Sequence, residues 1–172
     1  TGDVVWAIPF TRRSVMRFIL HMDKYRVPWA PVFGNHDADG NCDRNWIADK
    51  FVLSRNCIFS KGPGNIGGVG NYVINVKEGD RIVHTLFMLD SGAYRYYPDI
   101  DKIKYDFVQP AQIGWYRWNL HGIAAENGGV KPRSTVMMHI PLPQYKTAYA
   151  EYKKSGFSPE VGFGVNNERV NS

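Results

Sequence analysis

The stretch that most restricts how this chain can fold is an apolar run, Trp29 to Phe33, that meets Gly34 and passes at once into Asn35, His36 and Asp37. A short apolar run bounded by turn-formers reads as a buried strand that stops at a tight turn. In open α/β sheets the carboxyl ends of strands are where ligands bind. Gly34 allows a sharp turn without a Cβ clash. Asn35 offers a carbonyl oxygen suited to a hard or borderline cation, and His36 a nitrogen that can ligate or carry a proton. On spacing alone, a strand-to-loop turn made polar for solubility explains the stretch equally well.

The rest of the chain alternates helical and extended patterns around this turn. Val15, Phe18, Ile19 and Met22 recur at helical spacing, so a helix is expected from about Thr11, capped by Thr11 or Ser14, to Tyr25. Pro28 and Pro31 imply that the first half of the Val27–Phe33 strand is irregular or at an edge. A second helix is expected over Arg44 to Ser54. Lys61 to Asn71 is glycine-rich but lacks the Gly-Lys-Ser/Thr ending of a nucleotide loop, and reads as a mobile loop. Tyr72–Val76 and Arg81–Leu89, joined by Lys77-Glu78-Gly79-Asp80, read as a hairpin whose second strand is central in a sheet. Ala93 to Gln109 is aromatic without a clear period and reads as a long ordered loop. A third helix is expected over Pro110 to Ala125, a strand over Ser134 to Met138 running into His139, and a short helix over Tyr145 to Lys154. With no repeat and no linker, this order points to one layered α/β domain.

Composition narrows the partners. The net charge is +5, but Lys and Arg are scattered, so no nucleic-acid-binding stripe is seen. A modest positive excess suits a phosphorylated or otherwise anionic substrate. No apolar run approaches the length of a membrane span, and there is no signal-peptide pattern; Thr1-Gly2-Asp3 does not read as a native start, so localisation is not readable. Cys42 and Cys57 flank the second helix and either pair or stay free, with free thiols the preferred reading. His21, His84 and His121 read as surface or structural residues.

Three places at strand ends carry ligand-type side chains: Asp3, Asn35-His36 and His139. Strand ends on one sheet edge converge, so these residues can meet. A carboxylate, an amide oxygen and an imidazole suit a divalent cation of the Mn, Fe or Zn kind. At this point the sequence resembles a known family. Thr1-Gly2-Asp3, Phe33-Gly34-Asn35-His36-Asp37 and Met138-His139-Ile140-Pro141-Leu142-Pro143 look like three successive blocks of the calcineurin-like metallophosphoesterases. Gly68-Val69-Gly70-Asn71-Tyr72, Leu89-Asp90-Ser91 and Gln112-Ile113-Gly114-Trp115 are similar to the branch related to purple acid phosphatases.

The resemblance implies an αββα sandwich of two mixed β-sheets flanked by helices. It implies hydrolysis of phosphomonoesters or diesters by a dinuclear centre of two divalent metal ions and a metal-bound hydroxide. Asp3 would bridge both metals, and Asn35 and His139 would ligate the second. His36 would stabilise the phosphoryl oxygens and protonate the leaving group, with Asp37 orienting it. Asp39, Asp90 and Asn71 are candidates for supporting these residues. The tyrosines of 94–105 wall a pocket or fill core, and Asn166, Asn167 and Glu168 are candidates for approaching a substrate, either a phosphorylated small molecule or a phosphoprotein.

The family's outer blocks, Asp-x-His upstream and Gly-His-x-His downstream, are not found in the 172 residues. The resemblance therefore implies that residues 1–172 are a single metallophosphoesterase domain incomplete at both ends, weakly active or inactive alone. The alternative is a non-catalytic binding module or a degenerate phosphoesterase. A mononuclear hydrolase of another fold lacks support, because no His-x-x-x-His or His-x-His pair is present.

Overall fold

A computed structural model describes residues 2–4 and 11–158; Asn166, Asn167 and Glu168 lie outside them. Helix α1 (Thr11–Tyr25) buries Val15 and Ile19 on one face, as its apolar spacing requires. Helix α2 (Arg44–Leu53) starts at Asp43, whose side chain accepts the Trp46 N–H at 2.8 Å and so satisfies a helix-end donor. Strand β1 (Tyr72–Glu78) turns through Gly79-Asp80 into β2 (Arg81–Met88). A second hairpin follows, β3 (Tyr94–Tyr97) and β4 (Lys102–Tyr105). Helix α3 (Pro110–Glu126) opens on a proline and a reciprocal Gln109–Gln112 capping box. Strand β5 (Arg133–Met137) and helix α4 (Gln144–Lys154) complete the described elements. Among the described residues, no helix is long and apolar enough to cross a membrane.

Among the described residues the fold is mixed α/β, with four helices and two small sheets. The larger sheet has the order β1-β2-β5, with β2 antiparallel to β1 and parallel to β5. Strand β2 is therefore central, as its continuous apolar run predicts. One face of this sheet presents Tyr72, Ile74, Leu86, Met88 and Met137 to a core built from α1, α2 and the 29–33 segment. The other presents Val73, Phe87 and Val136 to Trp115, Tyr116, Leu120 and Ile123 of α3. Alternation along β2 would put Ile82 on the opposite face from Phe87. It shares the α3 side because the register slips between Val76 and Lys77, whose partners are His84 and Ile82. Val83 is the extra residue, and the bulge reverses the parity of the strand. Full burial of side chains such as Phe33, Phe51 and Phe87 contributes about 1.5–3 kcal/mol each.

Three expectations are corrected. The 27–33 segment is extended but is not a ladder strand; its one bridge pairs Trp29 with Cys57 in parallel. Pro28 and Pro31 have no N–H to contribute, and the Pro31 carbonyl accepts the Tyr72 hydroxyl at 2.6 Å instead. The 93–109 loop contains the β3–β4 hairpin, turned through a 3-10 segment, Pro98–Ile100, and Asp101 at φ 47°. The glycine-rich 61–71 loop is fastened rather than loose: Gly70 N–H donates to Lys61 O at 2.8 Å, and Val69 N–H donates to Asp90 Oδ2 at 2.8 Å.

Candidate active site

Two parallel strands define the edge on which the candidate residues collect. Strands β2 and β5 run the same way, so Leu89-Asp90-Ser91 and Met138-His139 leave the sheet side by side. Leu89 N–H donates to Met137 O at 2.9 Å, and Ile140 N–H to Ser91 Oγ at 2.8 Å. Arg44 ties the 29–34 segment to the same edge. Its Nη1 donates to Asp90 Oδ1 at 2.6 Å and Oδ2 at 2.8 Å, while Nη2 donates to Gly34 O at 2.6 Å and Gly92 O at 3.0 Å. The Asp90 side chain is 0% exposed. A buried carboxylate needs full pairing. Arg44 and the N–H groups of Val69 and Gly92 provide it. Beneath, Asn71 Oδ1 accepts from Asp90 N–H at 3.2 Å and from Gln112 Nε2 at 2.7 Å.

Asp3 arrives over Gly34 so closely that a Cβ there would stand 2.1 Å from its Oδ1 and 2.4 Å from its nitrogen. This approach, rather than a positive φ, is what excludes a side chain at position 34. A clasp holds the two segments together. Asp3 N–H and Gly34 N–H both donate to Asp37 Oδ2, at 3.0 and 2.7 Å, and His36 N–H donates to Asp3 Oδ1 at 2.9 Å. Asp3 Oδ2 then lies 3.2 Å from His139 Nε2, which is also 3.0 Å from Asn35 Oδ1. The structure thus brings Asp3, Asn35 and His139 together, although 104 positions separate the last two.

A carboxylate oxygen and an amide oxygen facing one imidazole nitrogen form the donor chemistry of a borderline divalent cation. The set fits one such ion as part of a coordination shell. Among the described residues, no group of three or more His, Cys, Asp or Glu side chains is arranged to hold a metal. A closed two-cation site is therefore not assembled from the described residues.

His36 stands beside these donors, half-buried. Its Nδ1 is 2.5 Å from Asp39 Oδ2, and its Nε2 is 3.5 Å from Tyr94 Oη. This corrects the expected role of Asp37. The buried Asp37 carboxylate accepts backbone N–H groups, and the carboxylate at the His36 ring belongs to Asp39. The turn explains it: Asp39 N–H donates to His36 O at 3.1 Å, which folds the fourth turn residue back over the first. Tyr94 Oη also accepts from Asn35 Nδ2 at 2.6 Å. Burial raises the Tyr94 phenol above its ordinary value, partly offset by the Asn35 hydrogen bond, so the hydroxyl keeps its proton at neutral pH.

Cys42 and Cys57 are free thiols, and burial pushes Cys57 up to about 12, which leaves it no thiolate to act as a nucleophile. His84 Nε2 lies 2.9 Å from Thr135 Oγ1, a structural link between β2 and β5. One contributor, Arg44, escapes a reading of the residues in order. Arg44 is only the first residue of the expected second helix, yet a cation in a helix's first turn opposes the macrodipole, which is the signal that it is used elsewhere. Tyr94, one of the tyrosines of 94–105 expected to wall a pocket or fill core, reaches the site from a hairpin in which Tyr94 pairs with Tyr105 and Tyr96 with Ile103.

Known proteins place this geometry in context. The family model described as calcineurin-like phosphoesterase matches residues 1–163. The phosphatase DCR2 of Saccharomyces cerevisiae is 29% identical over 191 residues, covering 100% of this chain and 31% of its own length. The probable inactive purple acid phosphatase 29 of Arabidopsis thaliana is 26% identical over 70% of this chain and 34% of its own length. An uncharacterised Schizosaccharomyces pombe protein, C1020.05, is 29% identical over 78% of this chain and 24% of its own length. The chain therefore spans about a third or less of these relatives. No solved structure matches the chain significantly. With the match running through the Asp3, Asn35-His36 and His139 blocks, the chain belongs to the calcineurin-like phosphoesterase family.

Proposed function

We propose that the polypeptide carrying this chain hydrolyses phosphate esters, monoesters or diesters, at a dinuclear divalent-metal centre of which Asp3, Asn35 and His139 form part. The observation that carries the reading is the approach of Asp3 Oδ2 and Asn35 Oδ1 to His139 Nε2, with His36 alongside. When bound, the cations would neutralise charge on the phosphoryl group and activate a water molecule. Asp3 would be the ligand shared between them, and Asn35 and His139 would be this chain's ligands to one of them. The His36 ring delivers the proton. Asp39 at Nδ1 keeps a proton on that nitrogen and turns Nε2 toward the site, from which an Nε2–H reaches a leaving oxygen. The net charge of +5 supports an anionic substrate, a phosphorylated small molecule or a phosphoprotein.

A second reading, ligand binding without turnover, draws on the name of the relative called probable inactive and on the absence, among the described residues, of a three-residue His/Cys/Asp/Glu group. One experiment separates the two: bound metal, and turnover of phosphate esters with good and poor leaving groups, on the full-length polypeptide and on His139→Ala and His36→Ala variants. The hydrolase reading expects His139→Ala to lose metal. It expects His36→Ala to keep metal and lose turnover by about 10²–10⁴-fold on poor leaving groups, and much less on good ones. Metal retention without turnover in the parent supports the binding reading. Equal loss on both ester classes overturns the acid role of His36.

A further inference from the structure

We propose that Tyr94 is a positioning residue that fixes which end of the Asn35 side chain faces the cation site; the inference rests on the reading of Asn35 as a metal ligand. A carboxamide ligates through its oxygen alone, and its two ends are nearly the same shape. Something must therefore make the orientation with Oδ1 inward lower in energy than the flipped one. Asn35 is 4% exposed, so water is a poor partner for its NH₂ group. A buried donor left unsatisfied costs about 1–3 kcal/mol. In the structure Nδ2 donates to Tyr94 Oη at 2.6 Å, and Oδ1 lies 3.0 Å from His139 Nε2. A flipped Oδ1 would take the single proton of the Tyr94 hydroxyl away from His36 Nε2, 3.5 Å off, whereas Nδ2 on the phenolic oxygen leaves that proton free for the imidazole, so the hydroxyl rewards the ligating orientation.

Tyr94 is prepared for this part by its own scaffold. It pairs with Tyr105 across the β3–β4 hairpin, and the two rings stack with centroids 5.6 Å apart at 25°. Asp106 N–H donates to Ala93 O at 3.0 Å, closing the base of the hairpin. Gly92, at φ 82°, lets the hairpin start against Asp106, where a Cβ would stand 2.6 Å from the Asp106 Cβ. The phenol therefore reaches the site from an element that supplies none of the ligand candidates. Having accepted from Asn35, its own O–H is directed away from that amide, and His36 Nε2 lies 3.5 Å from the oxygen. One hydroxyl orders the amide and stands next to the imidazole.

The test separates positioning from packing. Tyr94→Phe keeps the stacked ring and removes the acceptor, so the amide loses its reason to point Oδ1 inward. Mn²⁺ affinity, measured on the full-length polypeptide by competition with a chromogenic chelator, is expected to fall by about 10–100-fold. Thermal unfolding of the metal-free protein reports whether packing has changed. The same substitution is then made in an Asn35→Asp background, where both ends of the side chain are oxygen and orientation no longer matters. There Tyr94→Phe is expected to change Mn²⁺ affinity by less than about 3-fold. Equal losses in the two backgrounds, or no loss in the Asn35 background, overturn the proposal. His139→Ala is the reference: if it leaves Mn²⁺ affinity unchanged, the metal reading itself has failed. If it lowers affinity while Tyr94→Phe does not, only the role of Tyr94 has failed.

Discussion

Adding one methyl group at Gly34 probes the placement of Asp3 more directly than removing Asp3 would. In Gly34→Ala the new carbon would stand 2.1 Å from Asp3 Oδ1, 2.4 Å from its nitrogen and 2.7 Å from its Cγ, where ordinary contact begins near 3.4 Å. Asp3 must withdraw by about 1 Å or more for the contact to become tolerable. It is held against Gly34 by its N–H to Asp37 at 3.0 Å and by the His36 N–H to its Oδ1 at 2.9 Å. Keeping those bonds means accepting an overpacking strain of about 1–3 kcal/mol. Releasing them forfeits two charge-assisted bonds worth about 1.5–3 kcal/mol each. Taken at face value the two bonds outweigh the strain, but Asp3 is partly exposed and water replaces much of what it loses, which brings the cost of withdrawal down to that of the strain. The expected stability loss is therefore modest, about 1–3 kcal/mol by urea denaturation. The functional loss is not: a ligand displaced by about 1 Å is expected to lower turnover of a phosphate ester by about 10²-fold. Mn²⁺ affinity from chelator competition should fall with it. Gly114→Ala is the control, since nothing lies within 4 Å of its added carbon on α3. A Gly34→Ala protein whose Mn²⁺ affinity and turnover stay within about 3-fold of the parent would refute the placement of Asp3 over Gly34.

Two further perturbations test the frame around the site. Arg44→Ala strands the Asp90 carboxylate, whose side chain is 0% exposed, and leaves the Gly34 and Gly92 carbonyls without their donor. A loss of about 3–5 kcal/mol in urea denaturation is expected, with little recovery in Arg44→Lys, because an ammonium cannot reproduce the planar fork. Asp23 joins the end of α1 to the end of α2, and the Ser54 hydroxyl, 2.6 Å away, lowers its pKa from 3.8, with burial opposing and Asn56 assisting. A lowered folded-state value means that its contribution is complete above the unfolded value near 3.8 and is lost as pH falls through the lower folded value. The parent should thus be more stable than Asp23→Asn at neutral pH, with the gap closing in acid; a gap that persists below that range would refute the assignment.

What could be read from the residues alone depended on whether one local signal dominated. Helices α1, α2, α3 and α4 fall within a residue or two of expectation, because their apolar spacing and end signals agree. The β3–β4 hairpin was hidden because its turn carries Pro98–Ile100 and a left-handed Asp101 rather than a two-residue glycine turn. The extended 29–33 run looks like a strand by composition, but prolines at 28 and 31 remove the N–H groups that a ladder needs. At the site, Asp3, Asn35, His36 and His139 could be singled out because short motifs keep their order along the chain. The partner of His36 could not. Asp37 is adjacent in sequence, but neighbouring side chains in a turn diverge, and the bond from Asp39 N–H to His36 O returns the later carboxylate to the ring. Arg44 and Tyr94 act through pairings 46 and 59 positions long, which no local pattern records.

The separation of Asn35 and His139 by 104 positions also sets a clock during synthesis. At elongation rates of about 5–20 residues per second, the Gly34–Asp37 turn leaves the ribosome roughly 5–20 s before the imidazole that completes its share of the site. Within that interval Trp29, Phe33, Phe51 and Phe59 can meet one another, while their burial is completed by β1, β2 and β5. The meeting of Asp3 and Asn35 with His139, in contrast, must wait for β5 to dock beside β2. The turn that carries Asn35 is thus made long before the strand end that carries its partner His139.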